Sequence, residues 1–223
     1  MIGRWASIVN ANALDEPATK RMIQKRDNAR ALQSRIPDFH GQVLAVNRVE
    51  RLLRKVTGAL DKAGVPYAVI GGNAVAAWVA TVDEGAVRAT KDVDVLLRRA
   101  DLDSATKALA DVSLDLHEVL GVPMFLPRRN PNPKTGAHVI FAGEKVRERD
   151  AHPFPDVTAS QRSRAGFLVL DLPMLVRMKL VSFRLIDKVH IKDLISVGLI
   201  DEAAVRSLPD DLLPRLEQIR TTE

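Results

Sequence analysis

Two stretches decide how this chain is read: Val69-Ile70-Gly71-Gly72-Asn73-Ala74-Val75-Ala76, and then Arg88-Ala89-Thr90-Lys91-Asp92-Val93-Asp94-Val95. Tyr67 to Ile70 is a short apolar run that follows a turn, which suits a buried strand. Gly71-Gly72 interrupts it, and Asn73 to Ala80 continues as an apolar helix with Asn73 at its expected N-cap. Residues 81–91 read as polar loop, and Val93, Val95, Leu96 and Leu97 form the next strand. Residues two apart in a strand share a face. Asp92 and Asp94 therefore present their carboxylates together, while Val93 and Val95 turn to the core. Paired carboxylates repel unless a cation lies between them, and hard oxygen donors at this spacing suit Mg²⁺ or Mn²⁺. The plainer reading is a strand edge that carries two aspartates. Gly71-Gly72 likewise has two readings: a tight turn that needs glycine for its backbone angles, or a helix start whose N–H groups receive an anion. The order strand, Gly-Gly, helix, loop, strand with two aspartates is far more specific than either part.

Working outward, Val46, Val49, Leu52, Leu53, Val56 and Leu60 recur at three- and four-residue steps, with Arg51, Arg54 and Lys55 facing away. That spacing predicts an amphipathic helix from Val43 to Ala63, ended by Gly64 with Pro66 just beyond. Asp101 is the expected cap of a helix running to Ala110. Leu114 to Val119 reads as a strand, and the proline-rich residues 127–136 as a loop. Ala137 to Phe141 and Phe167 to Leu170 read as strands. Asp171 then caps a helix with Pro173 in its first turn, and three or four helices follow to Arg220. Strands alternating with helices predict an α/β (α+β) domain, a mixed sheet with helices on one side. The expected division is an N-terminal arm or helix over 1–42, an α/β domain over 43–170 and a helical subdomain over 171–223.

Composition excludes several classes. The 223 residues include no cysteine, which removes disulfides, thiolate metal sites, Fe–S clusters and cysteine nucleophiles. Aromatic residues are only 4%, which weakens a reading in which rows of stacked rings grip single-stranded nucleic acid. No apolar run is long enough to span a membrane, and Met1-Ile2-Gly3-Arg4-Trp5 is not followed by a signal-peptide core. A soluble, cytoplasmic protein is expected. Lys plus Arg exceeds Asp plus Glu by 33 − 28 = +5, an excess that favours polyanions without naming one. There is no P-loop. Ser160, Ser163 and Ser182 lack the context of a hydrolase elbow. His152-Pro153-Phe154-Pro155 reads as a rigid loop. His190 and Asp193, three apart on a helix, read as packing or surface residues with no third ligand.

The arrangement resembles the nucleotidyltransferase superfamily, the DNA polymerase β-like fold. Val69–Ala76 and Arg88–Val95 look most like its AbiEii-type branch, in which a Gly-Gly-x-Ala turn precedes an Arg-x-Thr-x-Asp-x-Asp strand. Met178-Lys179-Leu180, Arg184, Asp187-Lys188 and Lys192-Asp193-Leu194 resemble that branch's helical signature. The resemblance covers residues 43–200 and leaves 1–42 unexplained. It implies a transferase that moves a nucleoside monophosphate from a nucleoside triphosphate to an acceptor. Asp92 and Asp94 would hold one or two Mg²⁺ or Mn²⁺ ions. Gly71, Gly72 and Asn73 would cradle phosphates, with Lys91, Lys179 and Lys188 among the nucleotide-binding residues. It also implies an RNA acceptor such as tRNA, and a toxin role beside a cognate antitoxin protein. An aminoglycoside-like acceptor needs an acidic pocket, which the sequence does not display.

One departure bears on catalysis. Family members carry a third carboxylate on a strand beside the aspartate pair, and here the expected position holds His138. An imidazole there either serves as a base for the acceptor hydroxyl or is a plain strand histidine. Glu118 and Asp115 are the alternative third carboxylates. The competing reading is therefore a relative impaired in catalysis that acts as a nucleotide- or RNA-binding module. A third is an interaction protein in which the sheet is only scaffold.

Overall fold

The computed structural model describes residues 39–222, together with Gln24, which is helical. The arm expected over residues 16–34 otherwise lies outside the described residues. Val43–Glu223 forms one compact unit.

Helix α1 (Phe39–Ala63) buries Leu53, Val56, Ala59 and Leu60. Val49 and Leu52 are only partly covered, and Val46 is exposed, so the apolar stripe is used only toward its C-terminal end. Gly64, at φ +65°, closes the helix, and Val65 N–H donates to the Leu60 carbonyl at 3.0 Å. Strand β1 (Ala68–Ile70) runs directly into α2 (Gly71–Val79). Then come β2 (Val93–Leu97), α3 (Leu102–Ala110), β3 (Leu114–Val119), β4 (Val122–Pro127) and β5 (Ala137–Phe141). A short β6 (Ser160–Arg162) and β7 (Leu168–Leu170) follow, and the chain ends in α4 (Leu172–Ser182), α5 (Leu185–Ser196), α6 (Glu202–Arg206) and α7 (Leu213–Thr221).

The seven strands form one mixed sheet in the order β3-β4-β5-β2-β1-β7-β6. Strand β2 is antiparallel to β1 and parallel to β5, with Asp94 opposite Ile70 on one side and His138 on the other. All three residues of β1 are buried, as are Val95, Leu96 and Leu97 of β2. Consecutive buried residues require cover on both faces, so the centre of the sheet is not open on one side as the alternation had implied. Each fully buried Leu or Ile contributes roughly 1.5–3 kcal/mol. One core runs from these strands into Leu175, Leu180, Ile191 and Leu194 of α4 and α5, and the helices after residue 170 share it.

Three local expectations change. Helix α2 begins at Gly71, so Asn73 lies inside its first turn and does not cap it. Asp101 precedes α3 but its side chain accepts no cap hydrogen bond. Strand β4 stands where no strand was expected, because its prolines 123 and 127 argue against one. They sit near its ends, leaving Met124, Phe125 and Leu126 to fill the core. The Asp171 cap is present, its carboxylate accepting from Met174 N–H at 3.0 Å, with Pro173 in the first turn of α4. Among the described residues no helix is long and apolar enough to cross a membrane.

Candidate active site

The ends of β1 and β2 open into a cavity of about 1250 Å³. Its sheet wall carries the aspartate pair. Asp92, just before β2, is exposed; Asp94 keeps 26% of its side chain in solvent; Val93 and Val95 between and beyond them are buried. The strand alternation thus delivers both carboxylates to the cavity. The backbone below them is fixed from α2: the Asn73 side-chain amide donates to the Asp92 carbonyl at 2.7 Å. Buried Asn73 is therefore a brace for the aspartate strand.

Gly71 has φ +68°, and a Cβ there would collide with the Asp94 carboxylate. This position needs glycine twice, for its backbone angle and for the close approach of Asp94. A Cβ on Gly72 would meet Thr90 Oγ1 at 2.7 Å and His190 Nε2 at 3.6 Å. The Gly-Gly turn is thus pressed between the aspartate strand, the loop before it and helix α5. That loop is tied down by Arg88, whose guanidinium donates to both oxygens of Asp193 at 2.8 and 3.0 Å.

His138 lies beside Asp94 on β5, its Nδ1 3.0 Å from Asp94 Oδ1. The hydrogen bond to Asp94 raises the imidazole pKa, burial opposes the rise, and the charges of Asp94 and Asp92 add to it. Glu118 also lines the cavity. Asp115 does not. It is held by Arg128 at 2.7 Å, and that guanidinium keeps its carboxyl below the usual range. Asp115 is thereby removed as a third carboxylate.

The helical wall is built differently. Lys179 of α4 and Asp187 of α5 form a buried ion pair at 3.1 Å. Asp187 also accepts from Ser182 Oγ at 2.6 Å, from Arg184 Nε at 2.8 Å and from Arg184 N–H at 3.1 Å. Burial would raise the Asp187 carboxyl, but Arg184, Lys179 and Ser182 together bring it down to about 2. Burial pushes the Lys179 ammonium down, while Asp187 and, from across the cavity, Asp94 pull it up. Arg184 remains more than half exposed and also senses Asp94. Lys91 lies exposed at the cavity wall. Lys188 does not reach the cavity: its ammonium sits 4.2 Å over the Phe183 ring.

The structure adds Thr90, Arg184 and His190 to the site. His190 shares one face of α5 with Asp187 and Asp193, at three-residue steps that were visible in the sequence without a partner to interpret them. Burial, reinforced by the charge of Lys179, lowers its pKa to about 4, so the ring is neutral at physiological pH.

Among the described residues no three histidine, aspartate or glutamate side chains converge closely enough to hold an ion by themselves. Mg²⁺, however, is commonly held by one or two carboxylates, with substrate phosphate and water completing the shell. Asp92 and Asp94 on one face, with Asp94 set close against the glycine turn, fit that donor set.

No protein-family model and no curated protein sequence matches this chain. Among solved structures it is similar to a nucleotidyltransferase-like antigenic protein from Paracoccidioides brasiliensis, at 16% identity over 78% of this chain and 89% of that one, with a TM-score of 0.47. It is similar to ANT(2'')-Ia in complex with adenylyl-2''-tobramycin at 13% identity over 76% and 93%, TM-score 0.42. Similarity to the Megavirus polyadenylate synthase is 11% over 90% of this chain but only 40% of that one, TM-score 0.40. Each likeness is distant in sequence and partial in structure.

Proposed function

We propose that this chain is a metal-dependent nucleotidyltransferase. The observation that carries the reading is the approach of the Asp94 carboxylate to Gly71. It sets a pair of cavity-facing carboxylates against a helix-starting glycine turn, with Arg184 and Lys179 across the cavity.

A Mg²⁺ or Mn²⁺ ion held by Asp92 and Asp94 would neutralise phosphate charge and polarise the α-phosphoryl group. The chain's own residues supply the rest. The N–H groups at the start of α2 face the nucleoside triphosphate's phosphates. Arg184 and Lys91 offer positive charge to the triphosphate, and Lys179, locked by Asp187, contributes its field from within the wall. His138 holds Asp94 in place through Nδ1. In the transfer, an acceptor hydroxyl releases its proton to solvent and its oxygen forms a bond to the α-phosphorus, while the bond from that phosphorus to the bridging α–β oxygen breaks and pyrophosphate leaves with that electron pair.

The proposed acceptor is RNA, tRNA-like in kind. The net charge of +5 and the cavity residues Lys145 and Arg147 support a polyanion. A toxin role with a cognate antitoxin rests on the resemblance of residues 43–200 alone. A second reading, a nucleotide- or RNA-binding module, is favoured by one observation: Asp94 is bonded to an imidazole where the family carries a carboxylate. The deciding experiment incubates the protein with each α-labelled nucleoside triphosphate, Mg²⁺ or Mn²⁺ and total RNA, beside Asp92→Ala/Asp94→Ala. Label moved by the wild type and lost in the variant establishes transfer and identifies the acceptor. Nucleotide binding that needs both aspartates, without label transfer, establishes the module.

A further inference from the structure

Among the described residues, His190 is the one cavity histidine with a nitrogen buried and unpartnered. Its Nδ1 is shielded from solvent and, among the described residues, makes no hydrogen bond. The residue lines the cavity, and its other nitrogen, Nε2, lies 3.6 Å from the point where a Cβ on Gly72 would sit; Thr90 Oγ1 is 2.7 Å from that point. A side chain present only to fill space between α2 and α5 would not need a polar ring with an orphaned atom. Leucine or methionine would pack without that cost.

The ring's protonation follows from its surroundings. Lys179 is the cation acting on it most strongly and Asp187 and Asp193 the acidic groups, with Arg184 adding to the positive side. Burial and the lysine dominate, so the ring is neutral and carries one N–H. An orphaned buried N–H is rarer in proteins than an under-satisfied acceptor. The proton therefore belongs on Nε2, facing the Gly-Gly turn, and Nδ1 is the bare nitrogen.

We propose that His190 is a phosphate-positioning residue, its Nε2–H donating to the triphosphate seated over Gly71-Gly72. The proposal rests on the nucleotidyltransferase reading and adds to it a residue that is absent from the Asp92–Asp94 and Lys179 set. A neutral donor here fixes orientation without adding a third positive charge beside Lys179 and Arg184.

The test is calorimetric titration of ATP, GTP, CTP, UTP and inorganic tripolyphosphate, each with Mg²⁺, into wild type, His190→Gln and His190→Asn. A glutamine amide nitrogen reaches about where Nε2 stands; an asparagine nitrogen reaches only the Nδ1 position. Glutamine is expected to stay within about threefold of wild type, and asparagine to lose roughly tenfold to a hundredfold, for tripolyphosphate as well as nucleotide. Thermal melts check folding, and His190→Leu supplies a second variant without a donor at the Nε2 position should the asparagine variant be unfolded. Equal binding by wild type and the variants without that donor overturns the proposal while leaving the transferase reading standing. So does equal loss in glutamine and asparagine, or a loss confined to nucleotides that spares tripolyphosphate. If wild type binds none of the five probes, the nucleotide reading itself falls and this proposal with it.

Discussion

On the sheet wall of the cavity, Asp92 lies open to solvent and Asp94 keeps about a quarter of its side chain exposed; on the helical wall, the side chains of Asp187 and Lys179 are 0% and 4% exposed. Both walls contain aspartate, and the two aspartates are held by opposite means. Asp94 is bonded to a single histidine and faces space. Asp187 is surrounded by Lys179, Ser182 and both the backbone and side chain of Arg184. A carboxylate with its acceptor sites filled is structural, whereas one that leaves sites toward a cavity is available for a ligand. The contrast teaches that acidity alone does not mark the site; the unfilled half of the carboxylate's hydrogen-bonding capacity does.

The sharpest way to break this contrast is to neutralise each wall in turn. Asp92→Asn/Asp94→Asn should reduce nucleotidyl transfer by about a thousandfold or more, on the order of 4 kcal/mol of transition-state stabilisation. The melting temperature should stay close to wild type, because neither side chain is buried. Transfer that survives the double substitution would place the chemistry elsewhere in the chain.

The helical wall should respond in stability first. Asp187→Ala strands Lys179 in the interior, and breaking a buried pair this way costs about 3–5 kcal/mol. At roughly 2–4 °C per kcal/mol for a chain of this size, the melting temperature should drop by about 10 °C. Lys179→Met/Asp187→Leu should recover much of that stability while still impairing phosphate binding, since it removes the buried charge along with its partner. If Asp187→Ala melts like Asp94→Ala, the two walls do not differ as described.

Gly71→Ala tests the seam between strand and turn. A side chain at φ +68° is strained, and this one also meets the Asp94 carboxylate. A loss of about 2 kcal/mol in stability is expected. Transfer should fall as well, because Asp94 must move to admit the methyl group. Gly64→Ala is the control, with a similar φ of +65° but nothing within 4 Å of its Cβ. It should cost stability alone. Equal effects of both substitutions on transfer would show that the approach of Asp94 to Gly71 is incidental.

The sheet wall was legible because its information is local. A two-residue period puts Asp92 and Asp94 on one face whatever the strands pair with, and the strand assignment of Ala137–Phe141 set His138 beside them. What was not legible depended on distant partners. Asn73 had the chemistry of a cap, but it lies inside the first turn and its side-chain amide donates to the Asp92 carbonyl instead. Lys179 and Lys188 looked equivalent as helical lysines. Which one is sealed against Asp187 and which rests on Phe183 is decided by how α5 meets α4. Strand β4 was hidden by its prolines, whose cost to a ladder is small at strand ends and large inside. His190 carried a helical period and nothing to say that its face would meet Gly72.

The smallest expected effect also separates the walls, through the opposite behaviour of their histidines. His190 titrates near 4 in the folded chain, below the ordinary 6.5. Its neutral form is favoured by folding, so the stability it contributes is present above pH 6.5 and is lost as pH falls toward 4. The amount is on the order of 1 kcal/mol once partial exposure is discounted. His138 is shifted upward by Asp94. Its contribution is therefore complete below 6.5 and fades as pH rises through its raised value. The two act in adjacent pH windows, so between pH 7.5 and pH 5.0 their contributions oppose one another in the wild type. Urea unfolding at pH 7.5 and pH 5.0 should therefore be compared between wild type and His190→Gln. The variant should lose less stability on acidification than wild type, with the difference between the curves growing as pH falls from 6.5. A difference that is flat with pH would mean that His190 is solvated in the folded chain, and the helical wall would then be wetter than its buried ion pair implies.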